Sequence, residues 1–442
     1  MVQLIKTFQI LVMIVFSVKT SISASEIQTG EYLDTKILIL APHGFYYDPD
    51  QTREINFTQI LPEIDPKNMI IIAPKNNVEN NPRCEIYRQI IPVAQYNPPP
   101  PALRFKDQAT DVDKEIKQVR VGEFKDAKIL FFHEYDILRG IQHGAIDLEK
   151  ILPYRSKVHM LECMKLKDIP IPEFALINNT FEVMAFVNKH IKKNEDGSFS
   201  PPLVLKPIFG VSCKDTYILK SKKQLDEFFR KDARKYLSKI YETPTLIAQK
   251  FINAPMYHID SIIGERCPLW TYPFKYTRPP IDSTQNHTVG DYTLSPENSL
   301  TDDLIHFGHK VSDAMPTIPY IASHLEVFQP EDGRTMFCET AARSGGHHIS
   351  DVIEESFKFH LREQVFRLQA GLKTHIPSQV PFHKTPLNLA GGIVFPPDSQ
   401  GTEDDDHRSV VRTRVILVKG NSLECECKLE ECLKNITLNN HK

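Results

Sequence analysis

Apolar residues in this chain come in short dense runs, not in long helical stripes. The segments Thr35-Lys36-Ile37-Leu38-Ile39-Leu40-Ala41-Pro42, Asn68-Met69-Ile70-Ile71-Ile72-Ala73-Pro74 and Ala127-Lys128-Ile129-Leu130-Phe131-Phe132 each hold one such run. Runs of this length without polar alternation read as strands buried on both faces, and the longer connections between them predict a parallel α/β layer. Ligands of such sheets sit at the carboxyl ends of the strands, where His133, Glu134 and Asp136 follow the third run. Further along, Pro202-Leu203-Val204-Leu205-Lys206-Pro207 predicts a buried strand that ends on a lysine. Thr245 to Asp260 reads as strand, turn, strand, its apolar run broken by Gln249 and Lys250. Lys192 to Ser198 is a polar hairpin or loop, and Val410 to Val418 a closing strand.

The stretch from Ser323 to Glu339 folds about Asp332-Gly333. Glycine tolerates positive φ, so this pair predicts a two-residue hairpin. Folding there sets Phe328 opposite Phe337 and Glu326 opposite Glu339. Side chains alternate along a strand, so both glutamates point to one face. Like charges directly opposite repel. The pair is tolerable in solvent, or useful if a hard cation sits between the carboxylates. Arg343 and Ser344-Gly345-Gly346 follow shortly after. Two acids, an arginine and a glycine turn suggest a site for Mg²⁺ and a phosphorylated species. Upstream, Lys206 precedes the small-residue turn Gly210-Val211-Ser212-Cys213. Lysine binds phosphate as a point charge, and the backbone N–H groups of such a turn can cradle phosphate oxygens.

Length and charge narrow the class. The chain has 442 residues, enough for two to three packed units with a large core. Formal net charge is −3 with 41% hydrophobic residues, which makes no case for a nucleic-acid footprint. Thirty-two prolines and 18 glycines imply a loop-rich enzyme. No internal repeat or heptad pattern is visible. Asn97-Pro98-Pro99-Pro100-Pro101 is a stiff connector. Glu403-Asp404-Asp405-Asp406 reads as a solvated loop.

In series, these segments resemble the ATP-grasp superfamily and, within it, the carboxylate–amine ligases. Arg155-Ser156-Lys157-Val158-His159-Met160 is similar to the family's first lysine segment. Leu205-Lys206-Pro207 through Ser212 resembles its second lysine and phosphate loop. Gln249-Lys250-Phe251-Ile252 through Asp260 resembles its hinge, and His324 through Gly346 its closing motif. The likeness covers about residues 36–395. It implies an ATP-grasp α/β fold: an N-terminal parallel α/β domain over 35–150, a small lid over 151–250 and a C-terminal α+β subdomain over 251–395. A tail over 396–442 holds the acidic loop, the closing strand and three cysteines.

The resemblance also implies roles. Lys157 and Lys206 contact the ATP phosphates, and Gly210 and Ser212 belong to the phosphate loop. Gln249, Lys250, Phe251 and Ile252 meet the adenine, and Asp260 lies in the nucleotide segment. Glu326 and Glu339 hold Mg²⁺ or Mn²⁺, Arg343 binds an acyl phosphate, and Lys275 faces the substrate. Departures exist: Gln249 stands where glutamate is usual, Ser156 replaces an aspartate and Ala341 an asparagine. The implied reaction activates a carboxylate with ATP and joins it to an amine. Small-molecule acids and amines, amino acids or peptides, are the implied partners, and a homodimer is admitted. A nucleotide-binding protein without ligase activity is the alternative. His347-His348 is assigned no ligand role.

The N-terminus bears on compartment. Lys6 precedes an apolar stretch from Ile10 to Phe16, and small residues follow near 21–25. This reads as a signal peptide over 1–24, too short for a comfortable membrane span. The expected location is then the secretory pathway or the extracellular space. An uncleaved N-terminal anchor is the alternative. Eight cysteines allow disulfides. Cys425, Cys427 and Cys432 suggest a tail disulfide before a metal cluster. Sequons fall at Asn56, Asn178, Asn286 and Asn435, as in an exported glycoprotein.

Overall fold

A computed structural model describes residues 32–41, 56–78, 84–94, 111–133, 136–137, 139–140, 143–144, 147–210, 213–237, 246–265, 267–285, 287–346, 348–376, 385–395 and 413–439. The signal peptide, the proline run at 97–101, the acidic loop, Glu134, Ser212, Asn286 and His347 lie outside these residues.

The first apolar runs become strands β1 (Ile37–Leu40), β2 (Met69–Pro74) and β4 (Lys128–Leu130), joined by β3 (Gln89–Val93). They form one sheet in the order β3-β2-β1-β4, and every pair is parallel. The absence of alternation has a direct cause. Leu38 and Leu40 join one apolar cluster, while Ile37 and Ile39 join another on the opposite face. Pro92 is accommodated because β3 is an edge strand. The second cluster is completed from far along the chain, by Phe366 and Ala370 of the helix Leu361–Ala370. On that helix Gln369 bonds both backbone groups of Phe131 at 2.9 Å, and Arg367 bridges Glu63 at 2.6 Å.

A second, antiparallel sheet holds β5 (Phe174–Ile177), β6 (Lys192–Lys193), β7 (Ser198–Pro207), β8 (Tyr217–Ser221) and β9 (Leu246–Lys250). Its order is β5-β9-β7-β6, with β8 also on β7. The polar segment at 192–198 is the β6–β7 hairpin. Leu203, Leu205, Leu246 and Ala248 pack under the helices Thr180–His190 and Lys222–Lys231. Asn179 and Ser221 cap those helices by accepting from the N–H groups of Glu182 and Gln224.

The third sheet is the largest. It contains β10 (Met256–Ile263), β11 (Pro268–Tyr276), β12 (Val289–Thr293), β13 (Ile321–Phe328), β14 (Met336–Ala341), β15 (Asn388–Val394) and β16 (Thr413–Lys419). The order is β14-β13-β10-β11-β12-β15-β16, antiparallel throughout. Trp270 and Tyr272 are buried against Phe357 in edge-to-face contacts. β9 and β10 thus belong to different sheets, and residues 251–255 carry the chain from one to the other. The fold of three sheets matches the ATP-grasp architecture read from the sequence.

Two local expectations need correction. The β13–β14 turn is not a two-residue hairpin: the strands end at Phe328 and Met336, and Gly333 takes its positive φ of 77° inside a longer loop. Glu326 does face Glu339, but Val327 faces Phe337 and Phe328 faces Met336. A bulge at Cys338 shifts the register between the two pairs. The tail also differs. Cys425, Cys427 and Cys432 are free thiols on the helix Leu423–Asn439. A continuous helix holds residues two and seven apart too far and too differently oriented for a bridge. Leu429 and Leu433 of this helix are fully buried, and Glu426 accepts from the Ser295 N–H at 2.6 Å.

Candidate active site

A cavity of about 300 Å³ lies between the second and third sheets. From the second sheet side it is lined by Lys206, Gly210, Gln249 and the connecting residues Lys250, Phe251 and Ile252. Lys206 reaches it because Leu203 and Leu205 alternate into the core of that sheet. Gln249 is buried on β9, and its Nε2 has no partner among the described residues. A buried amide N–H left unpaired on a cavity wall suits a polar acceptor on a ligand. Lys250 Nζ rests on Glu173 at 2.8 Å, and the Phe251 N–H donates to the Pro202 carbonyl at 2.9 Å.

From the third sheet come Glu326, Glu339 and Arg343. Lys157, at the first position of the helix Lys157–Leu166, enters between the two sides. Its ammonium donates to the Gly210 carbonyl at 2.7 Å and to Glu339 Oε1 at 2.9 Å. Arg343 donates to the Ser344 carbonyl at 2.7 Å. Burial and the neighbouring Arg343 lower the Arg155 pKa to about 10. Burial opposes the charge on Glu326, but bonds from His324 and Tyr276 outweigh it and hold its carboxyl below the usual range. Burial pushes the Cys338 thiol, which also lines the cavity, up to about 12.

The paired carboxylates fit a hard cation. Both line the cavity, and their Cα positions are in register across β13 and β14. Tyr276 O–H donates to Glu326 Oε1 at 3.0 Å. Hard oxygen donors with neutralising lysines nearby are the donor set that Mg²⁺ with a phosphate ligand takes.

Two expected site residues are placed elsewhere. Lys275 lies outside the cavity lining, on the β11 face opposite Tyr276, with its Nζ on Glu430 at 2.9 Å and over the Tyr292 ring. Asp260 also lies outside the lining. It is fully buried on β10 and accepts from His258 Nδ1 at 2.7 Å and His324 Nδ1 at 3.0 Å.

Asp260 belongs to a chain of acids and imidazoles. Glu326 is 3.7 Å from His324 Nε2, and His324 meets Asp260. Asp260 meets His258, whose Nε2 lies 3.7 Å from Asp291 Oδ1. Asp291 Oδ2 receives His348 Nε2 at 2.5 Å. Burial opposes charge throughout, yet the facing imidazoles hold Asp260 and Asp291 well below the carboxylate range. Against its own burial, the Asp260 carboxylate raises His324 to about 9. Glycines admit this packing. A Cβ at Gly345 would fall 2.9 Å from His324 Nδ1, and one at Gly392 would fall 1.7 Å from His348 Cδ2. His258, Tyr276, Asp291 and His348 were missed by sequence reasoning. The usable signal was His258-x-Asp260, polar residues two apart in a strand buried at every position.

No family model matches the chain. The L-arginine-specific L-amino acid ligase of Bacillus subtilis is 24% identical over 216 residues, 49% of this chain and 49% of that protein. The chain therefore matches that curated relative over about half of the relative's length. Among solved structures, an L-amino acid ligase from Bacillus licheniformis superposes with a TM-score of 0.59 at 15% identity, covering 91% of this chain and 97% of that one. Phosphoribosylglycinamide synthetase from Anaerococcus prevotii gives 0.55 at 13% identity, covering 92% and 98%. The biotin carboxylase domain of 2-oxoglutarate carboxylase from Hydrogenobacter thermophilus, solved with MgADP and bicarbonate, gives 0.58 at 14%, covering 87% and 86%. The fold of this chain is the ATP-grasp fold.

Proposed function

We propose that this protein is an ATP-dependent ligase that joins a carboxylate to an amine, with amino acids or short peptides as substrates. One observation carries the reading: a single cavity gathers the cross-strand pair Glu326 and Glu339, the cations Lys157 and Lys206, and Arg343. The lysines neutralise polyphosphate. The glutamates hold Mg²⁺, or Mn²⁺ in its place, which when bound screens the phosphate oxygens during transfer. A carboxylate attacking the γ-phosphate needs charge neutralisation more than covalent assistance. It yields an acyl phosphate and ADP, and the amine then displaces phosphate to give an amide. Arg343, on the same cavity wall, would meet the acyl phosphate. The relative named as an L-amino acid ligase supports the choice of amino-acid substrates.

Export is proposed from the sequence of residues 1–24. No described helix is long and apolar enough to cross a membrane. The test of the ligase reading is ADP release by purified protein given Mg²⁺, ATP and the pooled standard L-amino acids. Release that needs both the metal and the amino acids is expected. Tight Mg·ATP binding with no release across acids and amines would replace the ligase with a nucleotide-binding protein.

A further inference from the structure

We infer that His348, oriented by Asp291, takes the proton from the incoming amine. This inference rests on the ligase reading above. An amino-acid amine is an ammonium at neutral pH and has no lone pair until it loses a proton. Some group in the cavity must receive that proton.

The other acids and bases described in this cavity are committed. Lys157 and Lys206 are cations. Glu326 and Glu339 face each other as cation ligands, and Glu339 is held by Lys157. His324 gives Nδ1 to Asp260, with Nε2 toward Tyr276 and Glu326. His348 is different. It lines the cavity, is only 3% exposed, and its Nδ1 has no hydrogen-bond partner among the described residues. Its Nε2 lies 2.5 Å from Asp291 Oδ2. Two acceptors cannot share that contact without a proton, so Nε2 carries the hydrogen, and in the neutral imidazole Nδ1 then keeps the lone pair. The Cδ2 edge of the ring is packed on Gly392, which fixes the ring plane. His348 follows Arg343 through Gly345 and Gly346, so both line one cavity. Asp291 is itself fixed by β12, where it pairs with Gly392 of β15.

The step balances as follows. The ammonium N–H gives its proton to His348 Nδ1. The freed nitrogen lone pair forms the C–N bond at the acyl carbon. The C–O bond to phosphate breaks, and its electron pair leaves with the phosphate. The second proton on the new amide nitrogen goes to the departing phosphate, which leaves as hydrogen phosphate. Asp291 stabilises the imidazolium that forms and acts as a positioning residue.

Hydroxylamine separates this role from a structural one. It is neutral at neutral pH, attacks acyl phosphates directly, and leaves a hydroxamate that added iron(III) colours. With the pooled L-amino acids as acid donors, the wild-type protein should make hydroxamate with hydroxylamine and dipeptide without it. His348→Ala should lower dipeptide formation by about 10²-fold or more, the scale of a lost general base. Hydroxamate formation should change only a few-fold. Asp291→Asn keeps the shape of the side chain but presents an amide donor to Nε2, driving the hydrogen onto Nδ1. It should show the same selective loss while hydroxamate formation, which needs a folded site, changes only a few-fold, and this guards against misfolding of the first variant. Equal losses of both products in both variants would overturn the inference while leaving the ligase reading intact. Absence of any hydroxamate from the wild type would overturn both.

Discussion

The contact between His348 and Gly392 allows a quantitative test without a known substrate. A methyl group added at 392 falls 1.7 Å from His348 Cδ2 and 2.4 Å from Cγ and Nε2. Non-bonded carbons rest at about 3.5–4.0 Å, so in Gly392→Ala the ring must retreat by about 2 Å. The backbone cannot give way instead, because Gly392 is paired to Asp291 on one side and to Val415 on the other. A retreat of that size breaks the 2.5 Å bond to Asp291. Overpacking costs about 1–3 kcal/mol, and a hydrogen bond to a charged group about 1.5–3 kcal/mol. The expected destabilisation is about 2.5–6 kcal/mol, a fall of roughly 5–24 °C in melting temperature at about 2–4 °C per kcal/mol. Gly346→Ala is the control: it borders the same cavity, has no positive φ, and a methyl group there meets nothing within 4 Å. It should stay within about 0.5 kcal/mol of wild type. Trp270 is the single tryptophan and is fully buried on β11 of the same sheet, so its fluorescence follows this unit directly. Equal melting of the two variants would refute the packing on which the placement of His348 depends.

Three further outcomes are expected. Glu339→Gln should abolish Mg²⁺-dependent turnover and weaken Mg·ATP binding; unchanged affinity by calorimetry would remove Glu339 from the cation site. Arg343→Ala should leave ATP affinity nearly intact while cutting turnover by roughly 10²–10³, as loss of one transition-state donor does; equal losses in both would make Arg343 an ordinary nucleotide contact. Burial opposes the charge on Glu63, but Arg367 outweighs it and lowers the pKa from its ordinary value of 4.5, so this pair stabilises above that value and the contribution is lost as pH falls below it; Glu63→Gln should therefore melt earlier than wild type at pH 7, with the gap closing in acid.

Much of the fold was readable because strands buried on both faces leave an unbroken apolar signature. Ile37 to Leu40 and Met69 to Ala73 carry it. The Glu326–Glu339 pairing was readable because alternation fixes which residues share a face. The register beyond it was not, since a bulge at Cys338 leaves no mark in composition. Lys275 and Asp260 show a second limit. Sequence places a charged residue on a strand, but which face meets the cavity depends on what covers the other face. For Lys275 that cover is the tail helix with Glu430, more than a hundred residues away. Beyond His258-x-Asp260 the His–Asp chain was invisible for the same reason: Asp291, His324 and His348 sit on separate elements, and only the order β13-β10-β11-β12 with the start of the helix Ile349–Phe357 brings them into line.

The ion pair between Lys157 and Glu339 has a thermodynamic consequence. On the proposed function Lys157 would meet phosphate and Glu339 a cation, and in this structure the two neutralise each other. A metal ion arriving alone would take Glu339 and strand a buried ammonium. A nucleotide arriving alone would take Lys157 and strand a carboxylate opposite another carboxylate. Either exchange leaves one charge uncompensated, whereas the metal and nucleotide together replace one pair with two. Binding of the two is therefore mutually reinforcing, and by reciprocity each raises the affinity of the other by the same factor. On the proposed function, a preference for metal and nucleotide together over either alone follows from this one ion pair.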